Sequence, residues 1–134
     1  GNTSQFGLKV RCSPDGREQT VVTCDREAQT LQIDCSRSSL TPGIVYRTFC
    51  MYGGENPPVT EQSAPFALKP GEPLRLRVFI DHSILEVFAN RRQCLTQRIY
   101  PSREDSLGVS LFSAEGPVTV NSLTAWTMAP ANPW

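Results

Sequence analysis

The fold is decided by one stretch of the sequence, Leu74-Arg75-Leu76-Arg77-Val78-Phe79-Ile80-Asp81-His82-Ser83-Ile84-Leu85-Glu86-Val87-Phe88-Ala89-Asn90. Apolar side chains alternate on both sides of His82-Ser83, which is the pattern of two half-buried strands joined by a two-residue hairpin loop. Every inward-facing pair in the register set by this loop is apolar: Ile80 with Leu85, Val78 with Val87, and Leu76 with Ala89. A slip of one residue would place the two apolar sets on opposite faces, so the sequence predicts this register.

The other face of the predicted hairpin carries charged and aromatic side chains. In the same register Phe79 lies opposite Glu86, and Arg77 lies opposite Phe88. Arg77 and Glu86 are then diagonal neighbours on one face, which is close enough for their side chains to interact. We therefore predict an ion pair between Arg77 and Glu86.

Outward from the hairpin, short alternating runs continue along the chain, separated by turns that draw on eleven Pro and nine Gly. The further predicted strands are residues 5–12, 18–24, 30–35, 65–68, 93–100, 107–111 and 118–128, with 46–52 as a strand or a short helical turn. The alternation in 118–128 shifts near Asn121-Ser122, as at a β-bulge. About nine or ten strands without an amphipathic helix predict an all-β, two-sheet antiparallel β-sandwich of the concanavalin A-like, lectin-like type. We expect it to occupy residues 1–128, followed by an irregular tail at 129–134.

Composition excludes several classes of partner. The 13 basic and 13 acidic side chains balance, which disfavours a large nucleic-acid-binding surface. No apolar run reaches membrane-spanning length, and no signal-peptide pattern is present, so the compartment is undetermined. The chain starts with Gly1 rather than Met, and we expect it to be a fragment of a longer protein.

The five cysteines are predicted to be mostly reduced thiols packed as small apolar groups. Their number is odd and no C-x-x-C spacing occurs, whereas zinc and redox sites usually show such pairs. One disulfide stays open as an alternative. Asp15, Asp25 and Asp34 do not form a calcium loop, so we predict no metal and no cofactor.

The hairpin resembles the V-x-V-D-x-S-x-x-E-x-F motif in the C-terminal domain of family 32 glycoside hydrolases, which include invertases, levanases and exo-inulinases. Four further segments extend the resemblance over nearly the whole chain: Phe6-Gly7-Leu8, Leu31-Gln32-Ile33-Asp34, Arg98-Ile99-Tyr100-Pro101 and Leu123-Thr124-Ala125-Trp126-Thr127-Met128. The chain departs from the family at Cys35, where Arg is frequent.

The resemblance implies a two-domain enzyme in which an N-terminal five-bladed propeller holds the active site. The propeller's N-D-P-N-G, R-D-P and E-C motifs do not occur in this sequence. We therefore expect a C-terminal accessory module of a β-fructofuranosidase, with the propeller domain as its partner, no catalytic residues and no hydrolytic activity of its own. The alternatives are a stand-alone lectin-like domain that binds fructan or sucrose, and a dimerisation module that forms a homo-oligomer.

The motif residues Asp81, Ser83, Glu86, Phe88 and Arg77 are predicted to be structural. Asp81 lies at the turn, where its carboxylate can accept backbone N–H bonds, and pairing would keep Glu86 ionised rather than poised as an acid. His82, the only histidine, is expected to be an exposed turn residue. The candidate sugar contacts are Tyr52 and Trp126, although a strand position would favour packing of Trp126 in the core or between domains.

Overall fold

A computed structural model describes residues 3–46 and 59–130, and it forms a β-sandwich. Its eight antiparallel strands are β1 (Gln5–Cys12), β2 (Thr20–Asp25), β3 (Thr30–Asp34), β4 (Glu61–Pro65), β5 (Leu76–Asp81), β6 (Ile84–Ala89), β7 (Gln93–Arg98) and β8 (Gly108–Ser113). One sheet has the order β4-β3-β2-β1-β8, and the other has the order β5-β6-β7. The predicted fold class is confirmed, with eight strands in the described ranges instead of nine or ten.

The described residues contain no helix, and therefore none that could cross a membrane. Several predictions fall outside the described ranges: those for Cys50, Tyr52, most of 46–52 and the end of the tail at 131–134.

The β5–β6 hairpin has the register that the sequence predicts. Ile80 pairs with Leu85, Val78 with Val87, and Leu76 with Ala89. The inward side chains of β6 are fully buried, whereas those of β5 are half-buried. A third strand, β7, continues the sheet and places Leu95 next to Val87 on the inner face.

The predicted strands 5–12, 18–24 and 30–35 correspond to β1, β2 and β3, which form an antiparallel meander within the larger sheet. Leu8 pairs with Val22, and Val22 in turn pairs with Ile33, so one row of apolar side chains crosses three strands. Gly7 is required here because a Cβ atom at this position would lie 1.9 Å from the carbonyl oxygen of Val22. The close approach of β1 to β2 therefore depends on the absence of a side chain at Gly7.

Four of the five cysteines lie in the described ranges, and all four are free thiols. Cys24 and Cys35 belong to the buried core between the sheets. Burial raises the pKa of the Cys24 thiol to about 11 and that of the Cys35 thiol to about 12. These two side chains therefore act as small apolar groups, because their thiolate forms are disfavoured.

Two strands differ from the sequence-based expectation. β4 runs from Glu61 to Pro65 instead of over 65–68, and Phe66 just beyond it is buried beneath the guanidinium of Arg92, 4.9 Å from the ring centre. The sequence of β4 shows no apolar alternation, which is why the pattern missed it. The predicted strand at 118–128 is not formed: this segment is irregular and exposed in the structure.

Glu18 joins three separate parts of the chain through a buried carboxylate. Its oxygens accept hydrogen bonds from five donors: the backbone N–H groups of Leu40, Ser102 and Arg103 and the hydroxyls of Ser102 and Ser106. Burial alone would raise the pKa of Glu18, but the hydrogen bonds from these groups outweigh it and lower the pKa to about 2. A charge that is fully satisfied in this way stabilises the fold, because each bond to an ionised acceptor is stronger than a neutral one.

Glu18→Gln should lower the free energy of unfolding by roughly 2–4 kcal/mol, because a neutral amide cannot accept all five hydrogen bonds and leaves buried donors unpaired. The pH dependence provides a second test. The folded pKa lies below the unfolded value, so the contribution of Glu18 is present above about pH 5 and is lost as the pH falls towards 2.

Urea unfolding of the wild type and Glu18→Gln between pH 3 and pH 7 measures both effects. We expect the difference between the two proteins to shrink towards the acid end. A difference that stays constant over this pH range would contradict the assigned role of the carboxylate.

Candidate functional site

The tip of the β5–β6 hairpin presents two of the motif residues to solvent. His82 has a left-handed backbone with φ of 49°, and its side chain is 97% exposed, as the sequence predicts. Its Nδ1 forms a hydrogen bond of 2.7 Å with the carboxylate of Asp81. Asp81 thus contacts the neighbouring imidazole, instead of the backbone N–H groups that the sequence suggested.

Ser83 connects the hairpin tip to the segment that follows β7. The guanidinium of Arg98 donates a hydrogen bond to the Ser83 hydroxyl, and the N–H of Ile99 donates to the Ser83 carbonyl at 2.8 Å. Two segments singled out by the family resemblance, the hairpin motif and Arg98-Ile99-Tyr100-Pro101, are therefore in direct contact. This contact is a structural role of Ser83 that the sequence reading did not specify.

The predicted ion pair between Arg77 and Glu86 is not formed. The salt bridges of the described residues involve Asp81, Glu72, Asp15 and Asp105 as acids, but not Glu86. Arg77 and Glu86 lie on the outer face as predicted, across from Phe88 and Phe79. Phe79 and Phe88 are the other diagonal pair of these four residues. Their rings form a T-shaped contact with ring centres 5.9 Å apart. Neither charged side chain has an ion-pair partner among the described residues.

A groove of about 990 Å³ extends over the outer face of the three-stranded sheet, away from the hairpin tip. Its walls combine the two aromatic rings with guanidinium groups, and its lining includes Arg75, Arg77, Phe79, Phe88, Arg91 and Arg92. Arg92 is fixed by a 2.8 Å ion pair with Glu72 and a 2.8 Å bond to the carbonyl of Ala67. The other guanidinium groups of this set take part in none of the described ion pairs, so the groove carries a local positive charge on a chain that is neutral overall.

The turn between β6 and β7 shapes one end of this groove. Asn90 and Arg91 both have left-handed backbones, with φ of 48° and 58°, and the N–H of Arg92 donates to the carbonyl of Ala89 at 3.0 Å. Such a turn favours Asn at its first central position and Gly at its second, so Arg91 occupies a strained position. Of the groove arginines, the sequence singled out Arg77 alone. The signal for Arg91 was an Asn-Arg turn in place of the usual Asn-Gly.

Asp81 and Glu86 do not have the spacing of the paired carboxylates of a retaining glycosidase. They lie on the outer face outside the groove, with Asp81 paired to Ile84 and Glu86 paired to Phe79. The offset of two residues separates them by about 7 Å along the strands, whereas retaining hydrolysis needs a separation of about 5 Å across the scissile bond. Within the described ranges, no group of three His, Cys, Asp or Glu side chains is arranged to hold a metal ion.

The candidate sugar contacts have different outcomes. Tyr52 lies outside the described residues. Trp126 is 78% exposed in the irregular segment after β8, so the core alternative of its predicted packing is wrong, and packing between domains stays a prediction. Its large apolar surface is available for a contact outside the core.

Three comparisons with known proteins agree with one another. Residues 1–127 match the family model described as the C-terminal part of glycosyl hydrolases family 32. The chain is 36% identical over 126 residues to a levanase of Bacillus subtilis (strain 168), covering 92% of this chain and 16% of the levanase. It is 32% identical over 141 residues to an insoluble β-fructofuranosidase, isoenzyme 5, of Oryza sativa subsp. japonica, covering 98% of this chain and 24% of that protein.

Among solved structures, an exo-inulinase from Aspergillus awamori is similar with a TM-score of 0.67 and 26% identity. The match covers 86% of this chain and 20% of the exo-inulinase. The chain thus spans a quarter or less of the length of each of these proteins.

The contacts of the motif lead to a comparison of two substitutions. Arg98→Ala should lower the free energy of unfolding by about 0.5–1 kcal/mol, because the Ser83 hydroxyl loses a charged donor. Glu86→Ala should change it by less than about 0.5 kcal/mol, because no described partner is lost. Thermal unfolding of both variants beside the wild type measures the difference. A larger loss for Glu86→Ala than for Arg98→Ala would contradict this assignment.

Proposed function

This chain belongs to glycosyl hydrolases family 32 as its C-terminal module, and on that premise we propose that it supports the catalytic domain of a β-fructofuranosidase without carrying out hydrolysis itself. The observation that carries the proposal is the family match over residues 1–127 of a chain that spans 16–24% of the levanase and β-fructofuranosidase it resembles. The parent enzyme would release fructose from sucrose, inulin or levan. Its catalytic domain would be a five-bladed propeller joined to residues 1–128.

The arrangement of acidic side chains supports a non-catalytic role. Of the carboxylates in the motif, Asp81 contacts the exposed His82 ring, and Glu86 lies on an open sheet face. The one described carboxylate that is fully buried, Glu18, is committed to five hydrogen bonds within the fold. A general acid for glycoside hydrolysis needs a raised pKa, and the pKa of Glu18 is lowered.

The outer face of the three-stranded sheet is our proposed contact surface for the catalytic domain. Ile84 and Phe88 are apolar side chains on this face that stay more than a third exposed, and Arg77 and Glu86 beside them have no ion-pair partner in the described part of the chain. Aromatic and Arg side chains of this kind are enriched at protein interfaces. The positively charged groove next to them would receive an acidic part of the partner surface.

The purified chain should release no fructose from sucrose, inulin or levan. The assay is measurement of reducing sugar at enzyme concentrations that detect about one turnover per hour, far below the usual range of enzyme turnover numbers. Fructose release that copurifies with the folded chain, and that persists after a further chromatographic step, would contradict the proposal that this module does not hydrolyse fructosides.

The contact surface can be tested in the full-length enzyme, whose coding sequence should contain an N-D-P-N-G box upstream of Gly1. Phe88→Asp should weaken the packing of the two domains and lower the melting temperature of the enzyme by several degrees. Val45→Asp is the matched control, because Val45 is 45% exposed and Phe88 is 36% exposed, but Val45 lies outside the three-stranded sheet. Equal melting temperatures for the two variants would contradict the proposed interface.

A fructan-binding role is the second candidate, and the exposed ring of Trp126 favours it. Such rings stack on sugar faces in carbohydrate-binding proteins, and the groove beside Phe79 and Phe88 offers further aromatic surface. Titration of the isolated chain with inulin, levan and sucrose distinguishes the two candidates. Saturable binding that is lost in Trp126→Ala would favour the second.

A further inference from the structure

Three arginines in the groove of the three-stranded sheet have no ion-pair partner in the described part of the chain. Arg75, Arg77 and Arg91 are exposed and take part in none of the ion pairs formed by the described residues. The fourth arginine of the lining, Arg92, is paired with Glu72, which is the acidic residue of the same lining. Four arginines and one glutamate leave the groove with a net charge of three positive units, on a chain that is neutral overall.

Arg91 is held in a backbone conformation that disfavours any side chain. Its φ of 58° lies in the left-handed region, which glycine adopts without strain and a residue with a Cβ atom does not. Its two neighbours fix the turn: the amide of Asn90 donates to Glu72 at 2.8 Å, and the guanidinium of Arg92 donates to the carbonyl of Ala67 at 2.8 Å. Strain of this kind is typical of positions whose side chain is used, and here it presents the guanidinium of Arg91 at the groove.

The charges of the groove are arranged along one strand. Arg75, Arg77 and Phe79 are alternate residues on the outer face, and alternate residues of a strand lie about 7 Å apart. The N–H of Asn90 donates to the carbonyl of Arg75 at 3.0 Å, so the turn that carries Arg91 lies beside Arg75. The line therefore has two arginines at one end, one arginine in the middle and an aromatic ring at the other end.

The aromatic end of this line is a corner formed by two rings. Phe79 and Phe88 meet at an interplanar angle of 87°, with ring centres 5.9 Å apart. Phe88 lies opposite Arg77 and is 36% exposed. A single apolar side chain placed in this corner would contact one ring face and one ring edge, and it would remove part of Phe88 from water.

An extended acidic polypeptide segment has the chemistry and the spacing that this line requires. Guanidinium groups bind carboxylates through paired hydrogen bonds. In an extended chain, side chains two residues apart point to the same side and are also about 7 Å apart. A first carboxylate would therefore lie between Arg75 and Arg91, a second would reach Arg77, and an apolar side chain two residues further on would reach Phe79. An uncharged fructan would leave all three guanidinium groups unpaired.

We propose that the groove is a binding site for an extended segment with two acidic residues in alternate positions, followed by an apolar residue in the next alternate position. Arg91 adds a second charge at the end of the line that binds the first carboxylate. One part of this inference rests on the proposed function: the catalytic domain, which would cover the outer face, supplies the segment.

A peptide titration of the isotopically labelled chain, followed by NMR, tests the site. The probe is the end-capped peptide Glu-Ser-Glu-Ser-Leu at low salt, and the amide signals of Arg77 and Phe88 should shift while that of the buried Val22 stays unchanged. The Kd should be at least about fivefold lower than that of Ser-Glu-Glu-Leu-Ser, which has the same composition and charge but adjacent acidic residues. Added salt should weaken the binding, because the groups involved are exposed.

Three variants assign the binding to the groove. Arg91→Gly and Arg77→Gln should each raise the Kd of the probe at least about threefold, and Arg91→Gly should fold normally because the turn favours Gly at this position. Arg26→Gln is the matched control: it removes the same charge from an exposed arginine outside the groove and should leave the Kd unchanged. Absence of saturable binding, or equal Kd values for the wild type, Arg91→Gly and Arg77→Gln, would overturn the proposal. Tighter binding of alginate, per carboxylate, than of the peptide would also overturn it, because the groove would then be a site for an acidic polysaccharide.

The full-length enzyme separates this inference from the proposed function. Arg91→Gly should lower the melting temperature of the enzyme relative to Arg26→Gln, but it should not lower that of the isolated chain. If Phe88→Asp lowers the melting temperature of the enzyme and Arg91→Gly does not, the proposed domain contact stands and the catalytic domain does not supply the segment. If the peptide binds the isolated chain but neither variant changes the melting temperature of the enzyme, the acidic-segment site stands and the proposed domain contact is wrong.

Discussion

The register of the β5–β6 hairpin is the constraint on which the rest of the described structure depends. Because the loop has only two residues, His82 and Ser83, it fixes every cross-strand pair between β5 and β6. The same register that buries Leu85 and Val87 places Phe79 and Phe88 on the outer face. The aromatic part of the groove and the proposed domain contact are therefore both consequences of this turn.

The loops at one end of the sandwich depend on a different interaction. Glu18 gathers backbone and hydroxyl donors from segments that are far apart in sequence, and it stays ionised at neutral pH because those donors outweigh the effect of burial. A hydrophobic contact would be less selective here, because a carboxylate accepts only well-aligned donors. The five-stranded sheet is thus joined through a polar contact to Ser102 and Ser106, which follow β7.

The sequence was sufficient wherever an element buries one face against its neighbours. The hairpin and the meander β1-β2-β3 follow from alternation alone, because a shifted register would expose their apolar set. β4 was misplaced because its side chains, from Glu61 to Pro65, show no apolar alternation and its position is imposed by pairing with β3. The prediction of an Arg77–Glu86 ion pair was wrong for a related reason. Strand spacing shows that two side chains can meet, but the contact between Phe79 and Phe88 on the same face depends on three-dimensional packing. The network of Glu18 was invisible because its partners lie up to 88 residues away along the chain.

The charged groups of the described residues differ in their number of partners. Active sites concentrate perturbed titratable groups in a cleft, but the described carboxylate with the largest number of partners, Glu18, is fully satisfied. The charged motif side chains without an ion-pair partner among the described residues, Arg77 and Glu86, lie instead on the outer face of the smaller sheet. Exposed apolar and aromatic surface of this kind gains free energy when another surface covers it. A module with such a surface is suited to assembly, and the outer face of the three-stranded sheet is the contact surface proposed for the catalytic domain.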